Sequence, residues 1–579
     1  MNNKSIYSKY LRFLHYFNIL FLFFIVLLIY FPVSNYDFVN WDDNKYVYDN
    51  LDVQEISLNN LKNIFSKEYV SLYIPITMLS YLFDHVVFGE SAAGFHVINI
   101  IFHCLNVLMV YVLLISICKD KRLVLITSII FAIHPVQVET VAWISQRKTL
   151  LSSAFILLSF YFYRKNSASG TKKGFFLSII FFILSLLSKP IYVLFPVVLY
   201  YYDLVIIKRT WRKAFDNKML YLILSIACAL STILFHKSAG SIYEFREGSI
   251  LLNSIVSFSA IGLYIRLFIL PTDLSLLYEL SHFNVLFYIY LFVGLIVSSI
   301  LFMCLYSFTK SKKDEAFWIV WITCFFLPVS GFMFPLATIA NDRYLYLLIV
   351  GLSILFIKGV LNVFDKKRSL SKSIKVIFLV SILIVLSLIS KERTQIWKNS
   401  YTLWKDTALK TKKSSHPYTS LGHYLIENQR YKEAKKYLNI AVKRDPFDCR
   451  AFINLSIIAL SERNYNDAIE ILKKAEKLSP GNIDILNKTG ITYAYMGEKN
   501  RALQYFEKII ASNPGYFEAY LNAALITYEQ GKLEASSAFI KDGIKNGEHS
   551  YKILTKFIKR YRNLNKKDIA DFLEKTANK

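Results

Sequence analysis

Long apolar runs separated by short basic stretches fill the first 390 residues, and a polar, periodic pattern fills the rest. A bilayer core needs about 20 apolar residues of helix. Such runs fall at roughly 14–33, 95–117, 122–134, 149–163, 174–188, 190–207, 218–236, 284–308, 316–334, 344–362 and 374–390. They predict an all-α, polytopic membrane module of about 11 spans. The first run is preceded by Lys4, Lys9 and Arg12, as in a signal peptide, but Phe31-Pro32-Val33 offers no small-residue cleavage site. It therefore reads as an uncleaved anchor.

Basic loops set the orientation. They are Lys119 to Arg122, Arg164 to Lys173, Lys208 to Lys218, Lys310 to Lys313 and Lys366 to Lys375. With the N-terminus inside, all five face the cytoplasm, provided that the apolar stretch 252–270 does not cross. Arg266 in that stretch would be costly at mid-span, so the stretch is expected to lie at the outer surface or re-enter from it. The C-terminal part then lies outside.

That part repeats with a period of 34: Pro446, Pro480 and Pro514; Ala434, Ala468 and Ala502; Gly422, Ser456, Gly490 and Ala524. Small residues at helix crossings, with Pro closing each unit, are the tetratricopeptide (TPR) pattern and predict an α-solenoid. The domains are expected at 1–390 and 391–579, with a first outer loop at 34–94 and the repeats at about 415–548. Trp397 to Lys410 and 551–576 are expected as capping helices. Such arrays can be purely structural, but stacked units usually present a peptide-binding concave face.

Composition fits this division. The chain has 579 residues, 54% hydrophobic, 16% aromatic and 19% charged, with mean hydropathy +0.37. Disorder and collagen are excluded. The net charge of +26 would suggest nucleic acid on a soluble chain. Here it divides evenly between cytoplasmic loops and the repeat domain, so no nucleic-acid partner is expected. None of the six cysteines forms a C-x-x-C pair, and no disulfide framework or zinc site is read.

Four outward regions carry candidate chemistry. The first outer loop holds Asp42-Asp43 beside Trp41 and Tyr46. Adjacent carboxylates can keep a general base poised or hold a divalent cation, and the same pair also suits a solvated turn. After the third run come His134, Glu139, Arg147 and Lys148, suited to proton transfer and phosphate neutralisation or to interfacial snorkelling. Lys189, before Pro190, and Arg343, before Tyr344, each add a cation. So does Arg266. No P-loop, dinucleotide fingerprint or H-E-x-x-H motif occurs.

The chain resembles the multi-spanning glycosyltransferases of the GT-C superfamily that carry a C-terminal TPR array, and is similar to bacterial relatives of the transmembrane-and-TPR O-mannosyltransferases. The resemblance rests on FVNWDDNKY (38–46), GFHVINIIFH (94–103), HPVQVETVAWISQRK (134–148), SKP (188–190) with Asp203, RYLY (343–346) and the TPR units. It implies a lipid-phosphate sugar donor and an acceptor reached from the outer face. It also implies catalytic roles for Asp42 and Asp43, with His134 and Glu139 completing the site. The chain departs from the pattern at Gln137, Thr149 and Ile74.

The expected function is transfer of a sugar from a polyprenyl-phosphate carrier to a protein hydroxyl, with inversion, by a multi-pass protein of a bacterial cytoplasmic membrane. The TPR array lies on the outer side and holds the acceptor. Arg147, Lys148, Lys189, Arg266 and Arg343 are the candidate phosphate ligands. A divalent cation, magnesium or manganese, is a further candidate, with Asp43 and Glu139 as its ligands. A lipid or glycan acceptor, or a non-enzymatic membrane-anchored TPR scaffold, are the alternative readings.

Overall fold

A computed structural model describes the chain except for residues 1, 170–171, 239–244, 246–247, 280–283, 334, 336–337, 367–371, 548 and 578–579. Parts of the second and last basic loops thus lie outside the described residues. Every regular element among the described residues is helical, apart from one isolated antiparallel bridge between Tyr69 and Leu72. The chain forms two compact units, Met1–Lys412 and Lys413–Lys579.

Among the described residues of the first unit six helices are each long and apolar enough to cross a bilayer: Phe13–Asn35, Ala92–Ile117, Met219–Lys237, Ile250–Ile269, Val285–Lys310 and Ser373–Ile396. The bent pair Lys121–Ile133 and Pro135–Ala142 makes a seventh if taken as one span. The expectation of about 11 spans is not met on this criterion, and the reason is local. Pro190, Pro196 and Pro328 break the runs at 190–207 and 316–334 into short helices. Lys172–Ser188 has 17 residues, and Arg147–Ser169 begins and ends among charges.

The stretch at 252–270 also departs from expectation. Its helix ends at Ile269, so Arg266 falls in the last turn rather than at mid-span, and its Nη2 reaches Asp273 at 3.2 Å and Thr272 at 3.0 Å. The cost that argued against crossing is therefore largely removed. This helix packs on Val285–Lys310 at Gly262 and Gly294. A Cβ at Gly262 would lie 2.1 Å from the Tyr290 carbonyl oxygen, so the two backbones touch as small-residue membrane pairs do.

A second hairpin fixes the register of the site. Helices Arg147–Ser169 and Lys172–Ser188 run antiparallel, joined by serines spaced seven apart. Ser152 and Ser185 each donate to the other's carbonyl, at 3.0 and 2.8 Å. Ser159 and Ser178 do the same, both at 2.7 Å. Small side chains let the helices approach, and their hydroxyls find partners without water. The ladder brings the start of the first helix, Lys148, beside the end of the second, Lys189.

The helix Ser400–Lys410 was expected to cap the repeats. It belongs to the first unit and closes over the first outer loop. Asn40 N–H donates to Ser400 Oγ at 2.9 Å, Asp37 N–H to the Lys398 carbonyl at 3.0 Å, and Trp404 Nε1 to Asn40 Oδ1 at 2.6 Å.

The second unit is five helix pairs: His416–Glu427 with Tyr431–Arg444, Cys449–Ser461 with Tyr465–Leu478, Ile483–Tyr495 with Lys499–Ser512, Phe517–Glu529 with Leu533–Asn546, and Ser550–Asn563 with Lys567–Ala577. The small residues of the period do what their size predicts. Ala434, Ala468 and Ala502 are fully buried, and a Cβ at Gly422 would meet Leu438 at 2.6 Å. The expected closing helix at 551–576 is a pair, broken at Asn565, where φ is +57°.

Candidate active site

The two adjacent carboxylates of the first outer loop are placed differently. Asp43 is buried and turned inward. Its Oδ2 accepts from Val39 N–H at 2.9 Å, and its Oδ1 accepts from Ser145 N–H at 3.0 Å and from the Ser145 hydroxyl. Burial pushes its pKa up to about 6, against the pull of those three hydrogen bonds. Asp42 keeps an open carboxylate, with side-chain exposure of 18% and Lys45 Nζ at 4.0 Å.

Ser145 belongs to a segment, His134 to Gln146, that is buried throughout yet is not one helix. Pro135 forces His134 into extended backbone, and Trp143 is extended too. Side chains replace the lost ladder bonds. Asn99 Nδ2 donates to the carbonyls of Val141 and Trp143 at 3.3 and 3.1 Å. Gln137 Nε2 donates to those of Phe131 and Tyr346, and the Tyr81 hydroxyl donates to that of Ile144 at 2.9 Å. The irregular backbone is thereby satisfied inside the protein, as the membrane interior requires.

Three cations form one cluster, and two of them, Lys148 and Arg343, feel the charge of Asp42. Lys148 Nζ donates to the Tyr46 hydroxyl at 3.0 Å and lies 4.1 Å from that ring's centre. Lys189 Nζ donates to Thr149 Oγ1 at 2.8 Å. Arg343 bonds Glu139 Oε1 and lies 5.5 Å over Trp143 and 5.3 Å over Tyr344. The charges feel one another: Lys148 interacts with Asp42 and Arg343, and Lys189 with Lys148, Arg343 and Glu139. Among the described residues neither lysine is ion-paired to a carboxylate, although both are buried. Buried ammonium groups that form no ion pair are expensive.

The other expected site residues lie apart from this cluster. Arg147 is fully buried, and each of its guanidinium nitrogens has a protein partner: Nη1 on Asp84 at 2.7 Å, Nη2 on the Phe95 carbonyl at 2.7 Å, Nε on Asn99. It braces the segment. His134 uses both ring nitrogens on backbone, with Nε2 on the Phe268 carbonyl at 3.0 Å and Nδ1 on Val136 N–H at 3.4 Å. Arg266 is held by Thr272 and Asp273. For a divalent cation the donor set fits poorly. Asp43 spends both oxygens on N–H and O–H donors, Glu139 faces Arg343, and among the described residues no group of three or more His, Cys, Asp or Glu could hold a metal.

Residues given no site role beforehand complete the arrangement. Thr149 seats Lys189, and Tyr46, Trp143 and Tyr344 provide the aromatic faces. Asp342 accepts from the Tyr278 hydroxyl and faces Arg393 Nη2 at 3.9 Å. Burial and the nearby Glu139 charge push the Asp342 pKa up to about 7. Arg393 in turn bonds Asp406 at 3.1 Å. Tyr46 and Tyr344 lie within the quoted FVNWDDNKY and RYLY motifs, which was the available signal. Arg393 had none.

The tetratricopeptide repeat family matches residues 419–483 and 487–548, and the second unit is a TPR array. Along most of its length the chain is homologous to protein O-mannosyl-transferases. It is 22% identical over 584 residues to human protein O-mannosyl-transferase TMTC3, which covers 86% of this chain and 61% of that protein. It is 26% identical over 397 residues to protein O-mannosyl-transferase F38B6.6 of Caenorhabditis elegans, covering 66% of this chain and 55% of that protein. The chain thus spans less than two thirds of the length of these relatives. Among solved structures, that of MamA is 22% identical and covers 27% of this chain and 92% of its own, with a TM-score of 0.24.

Proposed function

We propose that the protein is a membrane glycosyltransferase that moves a sugar from a polyprenyl-phosphate carrier to a protein hydroxyl. The observation that carries this reading is a pair of buried lysines, Lys148 and Lys189, neither of them ion-paired to a carboxylate among the described residues, in one cluster with Arg343 and with Asp42 acting on Lys148 and Arg343. An enzyme of this kind needs fixed positive charge where the leaving phosphate develops negative charge, and a base at the attacking oxygen. The names of the homologues support the class.

In this mechanism Lys148, Lys189 and Arg343 bind the donor phosphate. Asp42 takes the proton of the acceptor hydroxyl. That oxygen attacks the anomeric carbon from the face opposite the phosphate, and the bond from that carbon to the phosphate oxygen breaks. The polyprenyl phosphate leaves with the electron pair, and the sugar is inverted. Asp43 is a positioning residue: it ties the loop that carries Asp42 to Ser145 and Val39. Glu139 positions Arg343. The TPR array holds the acceptor, and the membrane is a bacterial cytoplasmic one. Mass spectrometry of envelope proteins from cells with and without this chain tests the class. Loss of a sugar mass from a Ser- or Thr-bearing peptide is expected, and unchanged protein glycosylation would overturn the reading.

A further inference from the structure

A second ligand site lies where helix Phe195–Tyr201 meets helix Met219–Ser238. The chain reaches it from Lys189 by passing through the first of these helices, and no residue of the candidate active site lines it. A cavity of about 580 Å³ opens there between Val197, Tyr200, Phe215 and Leu222, with Trp211 and Arg212 at its rim. The volume falls within the range of about 300–1,000 Å³ usual for ligand sites. Its walls are almost wholly apolar, and it is open rather than enclosed.

Two observations say what fits. First, the groove is continuous with a lipid-facing surface. Met219–Lys237 is long and apolar enough to cross a bilayer, and Leu220, Ile223, Ile226 and Leu230 are exposed along it. Trp211 is 64% exposed at the rim, a position typical of indoles at the membrane interface. Second, the rim is positive. Arg212 lies 5.1 Å over the Trp211 ring, and neither it nor the adjacent Lys213 is ion-paired among the described residues. Lys218, which also lines the cavity, is already occupied by Asp203 at 2.6 Å and by Tyr163. The free charge therefore sits only at the mouth.

We infer that this groove binds an anionic phospholipid, with one acyl chain between Val197, Tyr200, Phe215 and Leu222 and the phosphodiester on Arg212, Lys213 adding positive charge from outside the lining. A soluble anion would use the rim but leave the apolar walls uncovered. A neutral lipid would fill the walls but not the rim charge.

The test uses the full chain purified in detergent, with native mass spectrometry read against phosphatidylglycerol, phosphatidylcholine of the same chains, and inorganic phosphate. Retention of phosphatidylglycerol over phosphatidylcholine is expected. Each basic residue near a membrane surface counts for about fivefold in affinity, so the double variant Arg212→Gln, Lys213→Gln should lose roughly 20-fold for phosphatidylglycerol and little for phosphatidylcholine. Val197→Trp, which fills the groove and keeps both charges, should lower retention of the lipid. Equal retention of both lipids, unchanged retention in the double variant, or displacement of the lipid by inorganic phosphate alone would each overturn the assignment. A melting temperature equal to that of the parent chain confirms that each variant is folded.

Discussion

Ser145 donates both its backbone N–H and its hydroxyl to Oδ1 of Asp43, joining two segments 102 residues apart. The contact decides which of two adjacent aspartates is buried. Asp43 becomes a structural pin, and Asp42 is left facing the cations.

The first prediction concerns that pin. Asp43→Asn places an NH₂ group where Val39 or Ser145 donates, so a buried donor loses its acceptor. The expected cost is about 1–3 kcal/mol, read by denaturation in detergent. Asp43 titrates near 6 when folded against 3.8 ordinarily. Between those values the folded protein holds a proton that the unfolded chain has released, so this group makes stability fall as pH rises from about 4 to 6. Asp43→Asn should remove that part of the slope. The transfer rate should fall as pH drops through about 6, where Asp43 protonates and loses an acceptor site. Ser145→Ala removes a bond that lowers the Asp43 pKa, so its acid limb should move upward.

Lys148 and Lys189 should behave unlike structural residues. Each is a buried ammonium without a carboxylate partner, so Lys148→Met or Lys189→Met should leave the melting temperature unchanged or raise it. Transfer should fall by about 100-fold or more, as when a donor to a developing charge is removed. A parallel loss of stability and activity would argue for a structural role instead.

Arg147, next in sequence to Lys148, should show the reverse. It is held by Asp84, Asn99 and the Phe95 carbonyl. Removing one member of a buried pair costs about 3–5 kcal/mol, so Arg147→Met should fail to accumulate as folded protein. Asp84→Asn should show a milder form of the same defect, with donor affinity intact in the fraction that folds.

Glu139 and Arg343 should be coupled. Glu139→Gln frees Arg343 from its partner, and each single change should lower transfer. The double change Glu139→Gln, Arg343→Gln should cost less in stability than the sum of the two. A double-mutant cycle on melting free energies measures this, with a coupling of about 0.5–3 kcal/mol expected.

The legible and illegible parts of this protein differ in the range of the interactions that set them. The repeat array was plain in the sequence because a 34-residue period repeats the same local packing: Gly422 against Leu438 recurs as Gly490 against Phe506. The all-helical membrane module followed from composition. The number of long spans did not, because prolines 190, 196 and 328 and the charges flanking Arg147–Ser169 interrupt runs that look continuous in hydropathy. Arg266 looked like a mid-span cost, although it lies in the last turn of a helix that ends at Ile269, where Thr272 and Asp273 take up its charge. Within the site, the motifs marked the right neighbourhood, but the division of labour came from distant partners. Ser145 separates Asp43 from Asp42, Asp84 separates Arg147 from Lys148, and the Phe268 carbonyl takes up His134. None of these partners is near in sequence, so spacing could not reveal them.

The account turns on Asp42 as the base beside a phosphate-binding cluster. The most direct measurement is the rate of sugar transfer from a polyprenyl-phosphate sugar to a Ser- or Thr-containing acceptor by Asp42→Asn, with donor binding measured on the same preparation. General-base removal typically costs about 100- to 10,000-fold. A loss of that size with donor binding retained is the predicted result, and a variant that transfers sugar at the parent rate would contradict the account.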